Sequence, residues 1–530
     1  MVVEWALAAA LALDLQDPPS PQDPPVAARH VDPVDIFSIP PRVREPTEAE
    51  MAEFERLVVE AESARDAERY DAAIAAARAL AALSTETFGP RHPITASSRN
   101  IEGQVLYARG DLDGAEAIFR EGLDIRRAAL GELHPDVAES LNNIAGVLGH
   151  RGLYADSVVY LRQALDIWRA VGGDSLAVAD GLANLAISLS DLGRFDEAEA
   201  TIRDSIAMSV RLFGEAHEET AANRTSLGVI LIAVGRYDEA EAELLASNAI
   251  LAGLPNPPAV RLGLALNALA NLRTLQGRHA EGADLFLKAA ERFEAALGET
   301  HPFTADAIAH TGSALMEAGL PARAEPLLRR GVSLRERAYG AAHPDANRIR
   351  YRLAEALRQL HRLAEAQTEV EASVAALSAA LGDANQDTAA ARIVHAAILR
   401  DLGRHGEARV EGEAAFVAFN QLFGAEHPLT VLSRFELARS LIAEGRAQEG
   451  EAMMVAVVAT ATRRIGADHP DVLTYRQGLA SAYLAVGKPD RALGELRTVN
   501  AARRDSRSGQ GDPDRSGHRL FVQAAWMAGR

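Results

Sequence analysis

The sequence contains no cysteine. Disulfide bonds, thiolate catalysis, zinc–thiolate sites and lipid attachment through an N-terminal cysteine are therefore excluded. Aromatic residues are scarce, at 5% of the 530 residues, and no apolar run reaches the ~18 residues that a membrane-spanning helix requires. Basic residues are outnumbered by acidic ones, and the net charge of −19 disfavours binding to nucleic acid. The abundance of alanine, leucine, glutamate and arginine favours close-packed helices.

The signatures of several enzyme classes are missing as well. The sequence has no GxSxG nucleophile turn, no GxxxxGK[ST] phosphate loop, no HExxH zinc helix and no dinucleotide fingerprint. The segment that starts at His217 begins like a zinc helix but lacks the second histidine. We therefore expect a protein that is not an enzyme, with no catalytic residues, no cofactor and no metal.

Glycine recurs at a fixed interval along the chain. One series has steps of 42, 42, 41, 84, 42, 42, 42 and 42 residues: Gly89, Gly131, Gly173, Gly214, Gly298, Gly340, Gly382, Gly424 and Gly466. A second series keeps the interval, with histidine in place of one glycine: Gly110, Gly152, Gly193, Gly235, Gly277, Gly319, His361, Gly403, Gly445 and Gly487. Two turns per interval predict two helices per interval, and such a period is typical of a stacked repeat array.

Small residues flank each turn of the second series. Alanine or glycine stands seven residues before the turn, and alanine, serine or glycine stands five residues after it, as at Ala145 and Ser157. Small side chains at both positions allow two helices to cross closely. The pattern predicts an all-α solenoid of about eleven antiparallel helical hairpins over residues 47–505.

Histidine followed by proline begins six of the units, and a capping box, Thr47 with Glu50, begins the array. A fixed period of histidines also fits a metal site, but residues one repeat apart are too distant to share an ion. Proline is favoured at the first position of a helix, and the histidine before it can serve as the N-cap. We interpret the histidines as part of the architecture.

These columns, most clearly in residues 134–154 (HPDVAESLNNIAGVLGHRGLY) and 180–200 (DGLANLAISLSDLGRFDEAEA), give the chain its family likeness. The sequence resembles a tetratricopeptide repeat protein of the 42-residue type that is found in kinesin light chains and in many bacterial proteins. The resemblance implies a right-handed superhelix whose first helices line a concave groove. It implies a protein-binding scaffold but names no particular partner.

In that family, ligand-facing positions lie 13, 10, 6, 3 and 2 residues before the turn glycine. On the N-terminal half the resemblance places asparagines at or beside these positions: Asn100, Asn142, Asn143, Asn184, Asn267 and Asn271. An asparagine amide is both donor and acceptor, which suits an extended peptide backbone. Alternatively, these side chains solvate the rim of the groove or pack against the next repeat.

On the C-terminal half the same positions become basic. The candidate ligand-binding residues there are Arg348, Arg352, Arg358, Arg400 and Arg439. Arginine pairs well with carboxylates, so we expect an acidic ligand along this half. Alternatively, the arginines pair internally with Glu355 and Asp401, which would neutralise the surface.

The resulting hypothesis is a scaffold or adaptor that binds an extended peptide or a partner helix in its groove. Two alternatives stay open. One is a regulatory or targeting subunit of a signalling enzyme encoded on another chain, and the other is a self-assembling, envelope-associated structural scaffold. The expected partner is a protein or peptide, not nucleic acid.

The two ends differ from the array. Residues 1–46 comprise a signal-like apolar segment (WALAAALAL, residues 5–13) and a proline-rich linker. If the apolar segment is a signal-peptide core, we expect export to the periplasm, and otherwise a cytoplasmic location. Residues 506–530 predict a flexible tail with a helix that caps the last hairpin or lies in the groove.

Overall fold

The computed structural model describes residue 40 and residues 42–66, 69–505 and 515–528. Within these residues it contains 23 α-helices and no β-strand. The signal-like segment, most of the linker and residues 506–514 of the tail lie outside the described residues. The chain divides into two compact units, with the boundary between Thr304 and Ala305.

The first unit contains the first twelve helices. They are α1 (Glu48–Asp66), α2 (Tyr70–Phe88), α3 (Pro93–Ala108), α4 (Leu112–Leu130), α5 (Pro135–His150), α6 (Tyr154–Gly172), α7 (Leu176–Asp191), α8 (Phe195–Phe213), α9 (Glu218–Ala233), α10 (Tyr237–Gly253), α11 (Ala259–Leu275) and α12 (His279–Leu297).

The second unit contains most of α13 (Pro302–Glu317), which begins in the first unit, and ten further helices. These are α14 (Pro321–Tyr339), α15 (Pro344–Gln359), α16 (Leu363–Leu381), α17 (Gln386–Asp401), α18 (His405–Phe423), α19 (Pro428–Ala443), α20 (Ala447–Ile465), α21 (Pro470–Ala485), α22 (Pro489–Asp505) and α23 (Arg515–Met527).

Successive helices pair into eleven hairpins, as the sequence predicts. We call the odd-numbered helices α1 to α21 the A helices and their even-numbered partners the B helices. Each B helix within a unit also packs against the A helix that follows it, and neighbouring A helices contact each other, for example α7 with α9 and α15 with α17. Among the described residues, none of the helices combines the length and the apolarity that crossing a bilayer requires.

Each hairpin turns at the second glycine series. In the second hairpin, Gly110 has φ of 86°, and the next N–H, of Asp111, donates to the Leu106 carbonyl at 2.9 Å. This left-handed conformation favours glycine because it crowds a Cβ. His361 adopts it at φ of 59° without being glycine, so the eighth hairpin keeps the geometry at a cost of about 1 kcal/mol.

The small residues allow the predicted close crossing of the two helices. A Cβ added to Gly228 on α9 would lie 2.6 Å from Leu244 Cγ on α10. At the same position in other hairpins, Ala145 is 1% exposed and Ala186 is fully buried. Any larger side chain would force the hairpin apart, which explains why the column admits only glycine and alanine.

The predicted N-caps are confirmed. In seven hairpins a histidine Nδ1 accepts a hydrogen bond of 3.1–3.3 Å from the backbone N–H two residues later: His92, His134, His217, His301, His343, His427 and His469. Asn385 caps α17 in the same way through Oδ1 at 2.8 Å. Thr47 and Glu50 form the reciprocal bonds of a capping box at the start of α1.

The final helix, α23, lies against the last hairpin. Leu520, Phe521 and Ala524 join the apolar cluster that α21 and α22 bury. On the opposite side of α23, Trp526 is 81% exposed. The contacts of α23 within the described residues are with α21 and α22.

Candidate functional site

The candidate site residues lie on the A helices. Because the side chains of a helix repeat every 3.6 residues, the positions 13, 10, 9, 6, 3 and 2 residues before the turn form one side of each A helix. We call this side the A face. Its small and apolar neighbours fix the helix in the core, and its own residues vary from hairpin to hairpin.

In the first unit, asparagines link the A faces of α3, α5 and α7. Asn143 Nδ2 donates to Asn100 Oδ1 at 3.0 Å, and Asn184 Nδ2 donates to Asn142 Oδ1 at 3.1 Å. Asn100 Nδ2 donates in turn to Glu139 Oε1 at 3.2 Å. These asparagines therefore pack against the next repeat, which is one of the two interpretations that the sequence leaves open.

The same amides retain binding capacity. Asn142, Asn143 and Asn184 are half-buried, and each uses one end of its amide in these bonds. Their remaining ends, Asn142 Nδ2 and the Oδ1 atoms of the other two, have no partner among the described residues. These asparagines can therefore link successive repeats and still offer hydrogen-bond donors and acceptors to a ligand.

The side chains of two further asparagines on α11 have no hydrogen-bond partner among the residues that the structure describes. Asn267 is 2% exposed, and its Oδ1 is fully buried without a hydrogen bond in the described part of the chain. The amide of Asn271, one turn further along, is half-buried and likewise unpaired there. A buried polar atom without a partner costs about 1–3 kcal/mol. Local folding therefore gives no reason for asparagine at position 267.

In the second unit, the predicted arginines are mostly ion-paired. Arg348 lies between two carboxylates, with Nη1 2.6 Å from Asp345 and Nε 2.7 Å from Asp387. Arg358 is 2.8 Å from Glu355 on its own helix and 2.7 Å from Asp401 on α17. These pairs connect α15 to α17 and offset the positive charge.

The next two arginines share one carboxylate. Arg400 Nη1 is 3.0 Å from Glu436 Oε2, and Arg439 Nη1 is 2.9 Å from Oε1 of the same residue. Burial lowers the pKa of Arg400, which is 9% exposed. Only Arg352 of the five has no ion pair among the described residues, and its guanidinium lies 5.9 Å from the Tyr351 ring centre.

One acidic residue of the A face was not among the predicted site residues. Asp191, the last residue of α7, has no ion pair or hydrogen bond from its side chain within the described residues. Burial raises the pKa of this carboxyl from its ordinary value of 3.8 to about 6. The sequence contains a signal for it, because Asp191 stands two residues before a turn, at a ligand-facing position. The described residues contain no group of three side chains that could hold a metal ion.

The fold and the site define a class of protein: a helical-hairpin array whose variable polar residues are collected on the first helix of each hairpin. The chain belongs to the tetratricopeptide repeat family, whose sequence pattern matches residues 59–128, 136–209, 179–247, 261–337 and 429–504. Together these segments cover more than half of the chain. Among curated proteins no match is found.

Several solved structures are similar to the chain. A kinesin light chain from Podosopora anserina with nearly identical TPR-like repeats is 25% identical; the match covers 39% of this chain and 99% of that one, with a TM-score of 0.33. BtubC from P. vanneervenii is 21% identical over 48% of this chain and 95% of its own, with a TM-score of 0.34. The quorum sensor NprR from B. thuringiensis is 12% identical over 70% and 99%, with a TM-score of 0.46. The match to the family pattern confirms the prediction that the chain is a tetratricopeptide repeat protein.

Proposed function

We propose that this protein is a non-enzymatic scaffold that binds an extended peptide along the A faces of its first unit. The observation that carries the proposal is the pair Asn267 and Asn271. Both amides lack a partner among the described residues, and one of them is almost completely buried. A ligand that supplies hydrogen bonds would relieve a cost that the free protein bears.

The spacing of the two amides suits a peptide backbone. Four residues of helix advance about 6 Å, and two residues of an extended chain advance about 6.6 Å. Asn267 and Asn271 are four residues apart on one side of α11, so once a rotation of the buried Asn267 side chain exposes its amide, the two amides can meet alternate peptide groups of one extended segment. These hydrogen bonds would recognise the backbone of the ligand, and neighbouring side chains would select its sequence.

The test uses Asn267→Leu, which removes the unpaired amide and keeps a side chain of similar size. A displayed library of 12-residue peptides is selected against the wild-type chain, and the affinity of the selected peptides is measured for both proteins. We expect the free energy of unfolding of the variant, measured in urea, to be higher by about 1–3 kcal/mol. We expect its affinity for the selected peptides to fall at least tenfold. A gain of stability together with a loss of binding is the signature of a residue kept for function.

The control is Asn223→Leu on the neighbouring helix α9. Asn223 is also buried, at 3% exposure, but its Nδ2 donates to Ser209 Oγ at 3.0 Å. This substitution should destabilise the protein because it leaves the serine hydroxyl unpaired. If the wild type selects no peptide, or if Asn267→Leu binds the selected peptides as tightly as the wild type does, the proposal is wrong.

We also propose a limited role for the second unit. An acidic segment of the ligand would meet Arg352 first, because this arginine has no ion pair among the described residues. Arg348, Arg358, Arg400 and Arg439 already contact carboxylates of the same unit. A ligand must compete with those carboxylates, so their arginines should add little to its affinity.

A further inference from the structure

At two junctions, one in each unit, neighbouring A helices meet through the same pair of positions. The side chain three residues before one turn contacts the side chain two residues before the next turn. In the first unit Tyr107 and His150 form this contact, with ring centres 4.8 Å apart. In the second unit Arg358 and Asp401 form it, with Nη1 and Oδ2 2.7 Å apart. We call this the relay contact.

The relay contact between α5 and α7 lacks one side chain. Its two positions are occupied by Gly149 and Asp191. Helices α5 and α7 are linked by the hydrogen bond from Asn184 Nδ2 to Asn142 Oδ1 at 3.1 Å, and Gly149 and Asp191 each stand seven residues, about two turns, further along the same two helices. Asp191 therefore faces a residue without a side chain, at the place where the arginine stands opposite Asp401.

A second residue without a side chain precedes Gly149 on α5. Gly146, one turn before Gly149, occupies another ligand-facing position without a side chain. A Cβ added to Gly146 would meet the hydroxyl of Tyr107 at 3.5 Å and nothing of α7 within 4 Å. We use the word notch for this stretch of α5 without side chains, which lies between Tyr107 of α3 and Asp191 of α7.

No cation of the described chain fills this notch. The two arginines nearest to it along the sequence are engaged elsewhere: Arg151 lies 2.6 Å from Glu116, and Arg194 pairs with Glu197 on its own helix turn. Burial, and after it the nearby charge of Asp191, raises the pKa of the Tyr154 phenol at the start of α6. At neutral pH the carboxylate is thus charged, partly buried and uncompensated within the described residues.

We propose that Asp191 anchors a basic side chain, lysine or arginine, of the peptide that lies along the A faces. The inference rests on the proposed function and specifies the chemistry of its ligand. The ligand's cation takes the place beside Asp191 that Arg358 takes beside Asp401. The net charge of −19 attracts such a ligand at longer range.

The test compares four full-length proteins: the wild type, Asp191→Asn, Gly149→Arg and Asp166→Asn. The second variant supplies the missing arginine from the chain itself, and a Cβ at Gly149 meets only the ordinary contact at 3.9 Å. Asp166 is exposed on α6 and serves as the control for loss of one negative charge. Each protein selects from two displayed libraries of 12-residue peptides, one with acetylated N-termini and one with free amines.

The wild type and Asp166→Asn should both select acetylated peptides with lysine or arginine at one fixed position. Replacing that residue by norleucine or citrulline should weaken binding to the wild type about 10- to 100-fold. Asp191→Asn and Gly149→Arg should bind the basic and neutral peptides equally. Selection confined to free amines would mean that the site takes a peptide N-terminus and would overturn the side-chain proposal.

The outcomes separate the two proposals. If the wild type selects peptides without preference for a basic residue, or if Asp191→Asn keeps the preference, then Asp191 does not anchor a basic side chain. Peptide binding along the A faces is unaffected by that result. If the wild type selects no peptide at all, the proposed function fails, and the anchor fails with it.

Discussion

The substitution Asp191→Asn should stabilise the protein at neutral pH, although most substitutions of a partly buried residue destabilise. Burial raises the pKa of the carboxyl from 3.8 to about 6, so the folded chain holds a proton more tightly than the unfolded chain. Stability therefore falls as the pH rises through the window from about 4 to 6 and stays lower above it. Asparagine keeps the shape of the side chain and removes the charge.

The magnitude follows from the size of the shift. A change of roughly two pKa units corresponds to at most ~3 kcal/mol, and the remaining access of water to Asp191 reduces this to about 1–2 kcal/mol. We expect the gain in free energy of unfolding to be present at pH 7.5 and absent at pH 4. The opposite sign would apply to a carboxylate whose pKa is lowered by an ion pair, as the hydrogen bonds from Arg44 lower the pKa of Glu50.

Urea unfolding followed by the fluorescence of Trp168 measures this gain. Trp168 lies on α6 against α7, since a Cβ added to Gly181 would be 2.7 Å from its ring. The exposed control Asp166→Asn should change stability by less than about 0.5 kcal/mol at either pH. If Asp191→Asn is less stable than the wild type at pH 7.5, or if its gain is the same at pH 4, then Asp191 has a partner and the argument for an open notch fails.

Three further predictions concern the second unit and one concerns the first. His361→Gly should raise the free energy of unfolding by about 1 kcal/mol, because glycine adopts positive φ without strain; a loss of stability in urea would contradict this. Glu436→Gln should cost about 2 kcal/mol in the same assay, since it leaves Arg400 buried without its counter-charge, and an unchanged midpoint would show that the pair is unimportant. Arg352→Gln should lower the affinity for selected peptides that carry acidic residues about tenfold, measured by fluorescence anisotropy, and should leave the affinity for neutral peptides unchanged. Equal effects on both kinds of peptide would exclude an electrostatic role. Gly228→Val should cost more than about 2 kcal/mol, measured by thermal unfolding, because its Cβ would overlap Leu244, and a mild effect would mean that the hairpin can open.

The fold follows from the sequence because its determinants are local and repeated. Gly110 and its equivalents need a left-handed turn, and the histidines before the A helices need only their own backbone to form caps. Each of these patterns recurs in most of the eleven hairpins. The role of an exception such as His361 therefore follows from the equivalent residues of the other hairpins. The number of hairpins and their boundaries depend on nothing distant in the chain.

The candidate site is less predictable because its contacts join different repeats. The sequence places Arg348 on the A face, but its partner Asp387 is 39 residues away at a position outside the ligand-facing columns. Whether an arginine is free for a ligand depends on the reach of two flexible side chains. Asp191 shows the converse, since the missing partner becomes visible only when the helices are placed side by side and Gly149 is found opposite.

The position of a bound peptide shows whether the ligand lies along the A faces. A selected peptide that carries a benzophenone side chain is irradiated in complex with the wild-type protein, and the crosslinked tryptic fragments are identified by mass spectrometry. Cleavage at the arginines that flank residues 262–273 releases a fragment of α11 with both Asn267 and Asn271. We predict crosslinks to this fragment and to the A helices of the first unit. Crosslinks confined to B helices, such as residues 279–288 of α12, would contradict it.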